Sequence, residues 1–208
     1  MPQSLIDHIV ITAPTLETGT EFVREKLGVE PQNGGEHPAM GTHNMLLRLG
    51  EALYLEVIAV NPDSPAPGRP RWFGLDHWDC RTGSALSAWV VRVSDIQTTA
   101  SAASESLGEI RPMRRADLNW LITIPADGVL PLNGVAPALI EWRTNELPAA
   151  RLRDLGLSLL KLELFHPEPA RVERLLATLE LEGSFSVGKD ERPHLRALID
   201  TPLGVREL

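Results

Sequence analysis

His8 sits in Ile6-Asp7-His8-Ile9-Val10-Ile11-Thr12, Glu56 in Tyr54-Leu55-Glu56-Val57-Ile58-Ala59, and Glu141 in Ala138-Leu139-Ile140-Glu141-Trp142-Arg143. Each is an ionisable group on an otherwise apolar stretch. Once buried, such a group needs a partner. For Glu56, a histidine across a sheet would serve, and so would a metal ion. Strand alternation groups His8 with Val10 and Thr12, and leaves the all-aliphatic Ile9 and Ile11 for the face that meets a helix. By the same rule Tyr54 and Glu56 share a face with Ile58, and Glu141 shares one with Leu139 and Arg143. His43, Asn119 and His194 stand near the start of comparable strands, where they either line a mouth or serve as ordinary strand-end residues. Arg114-Arg115 reads as a solvated charge pair, His37 as a turn residue after Gly34-Gly35, and His166-Pro167 as a strand-to-helix turn. His77 and Cys80 lack any paired ligand motif. No Gly-x-Ser-x-Gly elbow, phosphate loop or dinucleotide fingerprint is present.

The elements that position these residues recur. A strand over residues 6–12 is stopped by Pro14, and Thr15 caps a helix over 16–27 that ends at Gly28. Strands follow at 44–49 and 53–60. A second copy begins with a strand at 88–93. Asp95 caps its helix over 96–107, Gly108 stops it, and strands at 118–124 and 138–143 follow. A third copy has a strand over 159–165, a helix over 169–179 with proline in its first turn, and strands over 195–200 and 204–207. The unit is β-α-β-β-β. Matching the copies pairs His8 with Ala88 and Lys161, and Glu56 with Glu141 and Glu207. The organisation is a first module at 1–60, a connection at 61–85, a second module at 86–145 and a third, shorter one at 146–208.

The connection is long and rich in Pro and Gly, yet it carries Trp72 and Phe73. Burying each ring is worth on the order of 2–3 kcal/mol, so both must find a dry place. They either plug a gap between modules or fold as a lid over a pocket, with Arg69 and Arg71 at its rim.

The 208 residues are enough for a sizeable core without staples. Lys plus Arg is 20 against 28 Asp plus Glu, a net charge of −8. An acidic chain without a basic run is a poor ligand for nucleic acid or anionic membrane. No apolar run is long enough to span a bilayer, and the N-terminus has no signal-like stretch. The one cysteine, Cys80, suits a reducing compartment, so a cytoplasmic location is expected.

The segments Leu5-Ile6-Asp7-His8-Ile9-Val10-Ile11, Gly41-Thr42-His43-Asn44-Met45-Leu46-Leu47-Arg48-Leu49-Gly50 with Tyr54-Leu55-Glu56-Val57-Ile58-Ala59, and Arg69-Pro70-Arg71-Trp72-Phe73-Gly74-Leu75-Asp76 resemble the glyoxalase-like branch of the vicinal-oxygen-chelate superfamily. The resemblance covers most of the chain. It implies an α+β fold of repeated β-α-β-β-β modules, with curved mixed sheets around a cavity, as in glyoxalases and dihydroxybiphenyl dioxygenases. It also implies a divalent metal (Fe, Mn, Zn or Ni) held by His, Gln or Glu from the first and last strands of paired modules. Carried over, His8, Glu56 and Glu141 become the metal ligands, and Glu56 and Glu141 the catalytic carboxylates. His43, Tyr54, Trp72, Phe73 and Asn119 become substrate contacts. Ala88 and Lys161 depart from the ligand pattern. With metal, the resemblance implies an isomerase, lyase or dioxygenase acting on a small molecule with adjacent oxygens. Without it, a vestigial His8–Glu56 hydrogen bond in a binding or sequestration protein, as in bleomycin-resistance-like relatives, is the alternative. The third module is left to extend the sheet or to form a homodimer contact, or Lys161 pairs with Glu207 to hold an acidic substrate.

Overall fold

The computed structural model describes residues 4–79, 81, 83–144 and 146–208, so Cys80 lies outside the described residues. The first module is β1 (Ser4–Thr12), α1 (Leu16–Leu27), β2 (Gln32–His37), β3 (Thr42–Arg48) and β4 (Tyr54–Val60). The second is β5 (Ala85–Arg92), α2 (Ile96–Ala102), β6 (Glu109–Arg115), β7 (Leu118–Ile124) and β8 (Ala138–Trp142). These strands form one mixed sheet in the order β2-β3-β4-β1-β5-β8-β7-β6. The two modules join where β1 runs antiparallel to β5. The sheet curls until its edge strands β2 and β6 approach each other, which encloses a concave face. The first module therefore pairs with the second.

Local chemistry sets the helix ends. Thr15 accepts from Thr18 N–H in a capping box, and Gly28 ends α1 at φ 75°. Asp95 caps α2. This helix stops at Ala102, five residues short of the expected Leu107. Its Thr98, Thr99 and Ser101 hydroxyls bond to residues of the first turn and cap, the competition that makes such residues poor helix formers. Just beyond the helix, Glu105 is held by Arg171 of the third module.

The third module comprises β9 (Ser158–His166), α3 (Pro169–Thr178), β10 (Leu181–Glu182), β11 (Phe185–Lys189), β12 (His194–Asp200) and β13 (Arg206–Glu207). It makes its own sheet, in the order β11-β9-β12-β13, while β10 adds to the start of β1. Leu162, Leu164, Val172, Leu175, Leu195 and Ala197 share one core with Ile9, Ile11, Trp89 and Val91 of the large sheet. The third module thus covers the convex side of the curled sheet. Lys161 pairs with Glu163 and lies away from the concave face, and Glu207 lies by Arg196, so these two do not form the anticipated pair. No helix among the described residues is long and apolar enough to cross a membrane.

Candidate active site

The two faces of β1 divide as alternation requires. Ile9 and Ile11 enter the core shared with the helices, whereas Val10 enters a second apolar cluster on the concave side. His8 points into the same concavity, a cavity of about 360 Å³ including its open mouth. A β-bulge then adds a group that alternation cannot supply. Between Ile6 and His8, β1 carries one residue more than its partner β5, and that residue is Asp7. Its buried carboxylate lies 2.7 Å from His8 Nδ1 and accepts Trp142 Nε1–H at 3.0 Å, with Arg92 Nη1 at 3.4 Å.

A carboxylate accepts and does not donate, so Nδ1 carries a proton, and in the neutral imidazole Nε2 keeps the lone pair. Nε2 faces Glu56 Oε2 at 3.6 Å, too far for a hydrogen bond. The His8 ring stacks on Tyr54 at 4.5 Å between centroids, which fixes its plane. Burial holds the Tyr54 hydroxyl well above its ordinary pKa, so it stays protonated.

Glu56 is buried on β4 and accepts Asn44 Nδ2–H at 2.5 Å. Asn44 Oδ1 in turn accepts from Arg115 Nη1 at 2.9 Å, and the same nitrogen lies 3.3 Å from His37 Nε2. His37 is buried at the end of β2. Burial and the neighbouring Arg115 guanidinium push its pKa down to about 3, so it is neutral and acts as an acceptor there. Its Nδ1 faces Thr42 Oγ1 at 3.2 Å.

Trp72 and Phe73 line the cavity together with Trp120 and Trp142. The loop thus folds as the lid and not as a remote plug. Phe73 and Gly74 take left-handed backbone, with φ 57° and 66°, and Gly74 N–H donates to Gly128 O. Gly128 is required there, since its φ is +77° and a Cβ would meet Arg71 O at 1.9 Å. Arg69 and Arg71 do not form a rim: Arg69 donates to Pro125 O, and Arg71 pairs with Asp76 and reaches Gly41 O, so both pin the loop.

His8, Glu56, Tyr54, Trp72 and Phe73 are therefore brought together. Glu141 is not. Along β8 it is Ile140 and Trp142 that line the cavity, while the Glu141 carboxylate accepts Ile96 N–H at the start of α2 and pairs with Arg143. His43 and Asn119 also face away. Their strand neighbours Asn44 and Trp120 occupy the cavity wall, and Asn119 bonds to Asp117 O at the surface. Sequence reasoning missed Asp7, Asn44 and Arg115, and read His37 as a turn residue.

The metal site that the resemblance implies draws its donors from both paired modules. Among the described residues no three His, Cys, Asp or Glu side chains gather as a ligand set. From the second module, the cavity receives Arg115, Trp120, Ile122, Ile140 and Trp142, none of them a His or a carboxylate. Arg115 also places a positive charge beside Asn44, one hydrogen bond from Glu56. These residues do not fit the metal.

This arrangement is a two-module curled sheet around a cavity, the vicinal-oxygen-chelate fold. Residues 6–180 match the glyoxalase-like domain family, and the chain belongs to it. A hypothetical protein from Staphylococcus aureus is similar in structure at TM-score 0.63 and 14% identity, covering 91% of this chain and 87% of that one. A methylmalonyl-CoA epimerase from Streptomyces coelicolor, solved with 2-nitronate-propionyl-CoA, gives TM-score 0.46 at 20% identity over 69% of this chain and 97% of that one. A hypothetical protein from Bacillus halodurans gives TM-score 0.46 at 14% identity over 69% and 96%. No match was found among functionally curated proteins.

Proposed function

We propose that the cavity binds a small molecule with adjacent oxygens and moves a proton at the carbon next to its carbonyl. His8 is the base, and Glu56 stabilises the imidazolium. The observation that carries this reading is the buried Asp7–His8 pair, which in the neutral imidazole directs the lone pair to Nε2 inside the cavity, 3.6 Å from Glu56. Asp7 fixes the tautomer, in the way an aspartate orients the imidazole of a hydrolytic triad. Nε2 takes a proton from carbon, the substrate becomes an enolate, and the imidazolium lies between two carboxylates. Exchange of the imidazolium proton with solvent and its return to the same face gives hydrogen exchange, protonation of the opposite face gives epimerisation, and protonation at a neighbouring atom of the enolate gives isomerisation. The aromatic walls Trp72, Trp120 and Trp142 exclude water and suit a flat, conjugated enolate.

The test is deuterium exchange at C3 of 2-oxobutanoate in D2O, followed by proton NMR. The wild type, dialysed against EDTA, is expected to speed exchange above the buffer rate. His8→Ala and Glu56→Gln should each lose this by about 10²-fold or more, the usual worth of a positioned base. A wild type that exchanges no faster than buffer, yet quenches its tryptophan fluorescence on adding 2-oxobutanoate, leaves the sequestration reading in its place. Activity that vanishes with EDTA and returns with a divalent metal contradicts the metal-free mechanism.

A further inference from the structure

Arg115 ends β6 where the curled sheet closes, and it lines two spaces at once. One is the inner cavity. The other is an outer cleft of about 820 Å³, open solvent included, bordered by Gln32, Gly34, Gly35, Glu36, Asp117 and Arg151. Among the described residues its half-buried guanidinium bonds only to Asn44 Oδ1 and His37 Nε2, both through Nη1 and both neutral acceptors. The Nε–Nη2 edge has no acceptor among the described residues, and no carboxylate pairs with it there. A buried charge in a folded protein is normally paired, and a half-buried edge is left to solvent or to a ligand. Nearby, Trp72 Nε1–H is buried without an acceptor, and the Trp72 ring packs edge-on against His37 at 5.1 Å. Two donor groups beside His37 are therefore left over, one at the seam between cavity and cleft and one buried in the Trp72 ring that lines the cavity.

The surroundings are built around this arrangement. Asn44 separates guanidinium from Glu56 carboxylate by bonding to each, so neither charge is spent on the other. A Cβ at Gly34 would lie 2.1 Å from Asn44 Oδ1, and one at Gly35 would lie 3.1 Å from Arg115 Cδ. A side chain at position 34 would displace the amide that holds both groups.

We propose that the ligand of this cavity is a carboxylate, gripped by the Nε–Nη2 edge of Arg115, with Trp72 Nε1–H donating to an adjacent oxygen. The planar guanidinium edge matches a carboxylate through two parallel hydrogen bonds. The flat rings of Trp72, Trp120 and Trp142 favour a planar group over a tetrahedral one. The ligand enters from the outer cleft past Gly34-Gly35 and presents its carbonyl-bearing carbon to His8. This last placement rests on the proton-transfer reading, whereas the carboxylate grip does not.

The test compares 2-oxobutanoate with 2-oxobutanamide, equal in heavy atoms and differing in charge, by calorimetry and tryptophan fluorescence. The carboxylate is expected to bind about tenfold or more tightly, as loss of a charge-assisted pair implies. Arg115→Gln should bring the two Kd values together, and Arg115→Lys should recover part of the preference. Trp72→Phe, which keeps the ring and removes the donor, should weaken both probes. His8→Ala should keep the carboxylate preference while losing exchange, so failure of the chemistry and failure of the grip are read separately. Equal affinity for acid and amide, no binding of 2-oxobutanoate at millimolar concentration, a preference that survives Arg115→Gln, or methyl phosphate binding as tightly as 2-oxobutanoate would each overturn the proposal.

Discussion

Asp7→Asn is expected to lower the exchange rate by roughly 10²–10⁴-fold while leaving the fold intact. The Asp7 carboxylate accepts from three directions: His8 Nδ1, Trp142 Nε1 and Arg92. An amide offers one acceptor oxygen and a donor NH2 group. Whichever way it turns, one former donor meets a donor. If the amide nitrogen faces His8, Nδ1 must become an acceptor and the proton moves to Nε2, which removes the base. If instead the amide oxygen stays on His8, the base survives but the buried Trp142 Nε1–H meets a donor, at about 1–3 kcal/mol of stability. Urea denaturation reads the second effect and C3 exchange the first. An Asp7→Asn protein with unchanged exchange and unchanged stability would mean that the tautomer of His8 is irrelevant to whatever the cavity does.

The second large effect concerns acid. His37 is neutral in the folded chain down to about pH 3, against 6.5 for a free imidazole. Between those values the unfolded chain holds a proton that the folded chain refuses, so stability rises with pH across that window and falls on acidification. The slope from this one group is about 1.4 kcal/mol per pH unit, and the whole window amounts to on the order of 5 kcal/mol. Above pH 6.5 both states are neutral and the contribution is level. His37→Gln should therefore flatten the pH dependence of unfolding free energy between pH 6.5 and 4 by about that slope. An identical slope in wild type and variant would place the acid sensitivity elsewhere.

The legibility of this chain in its sequence follows its periodicities. Helix caps at Thr15 and Asp95, the glycine stop at Gly28 and the two-residue alternation of β1 and β4 are local signals, and they give the repeat and the His8–Glu56 face. Glu141 failed for a reason equally local. Matching it to Glu56 finds the right strand on the wrong face, and in a strand a one-residue offset exchanges cavity for helix. Ile140 and Trp142 hold the places that the repeat assigned to Glu141. The short α2 reflects hydroxyl competition, which a pattern of apolar spacing does not register.

The remaining site residues depend on events far apart in the chain. Asp7 reaches His8 Nδ1 because of a bulge against β5, which no single strand encodes. Arg115 and His37 meet because the sheet curls far enough to bring β6 against β2. Nothing in Gly34-Gly35-Glu36-His37 or in Arg114-Arg115 alone distinguishes a closing seam from an exposed turn. The one available signal was the glycine pair: a Gly-rich edge strand marks a place where another chain segment comes close.

The central claim is that Asp7 holds His8 as an Nδ1–H imidazole whose Nε2 is a free base within the cavity. Imidazole nitrogen NMR of uniformly labelled protein, with His8→Ala used to assign its signals, measures this directly. The account predicts that at neutral pH the His8 proton resides on Nδ1, that Nε2 shows the shift of an unprotonated and unligated nitrogen, and that addition of EDTA changes neither. A His8 ring protonated on Nε2, or an Nε2 signal displaced until a chelator is added, would contradict it.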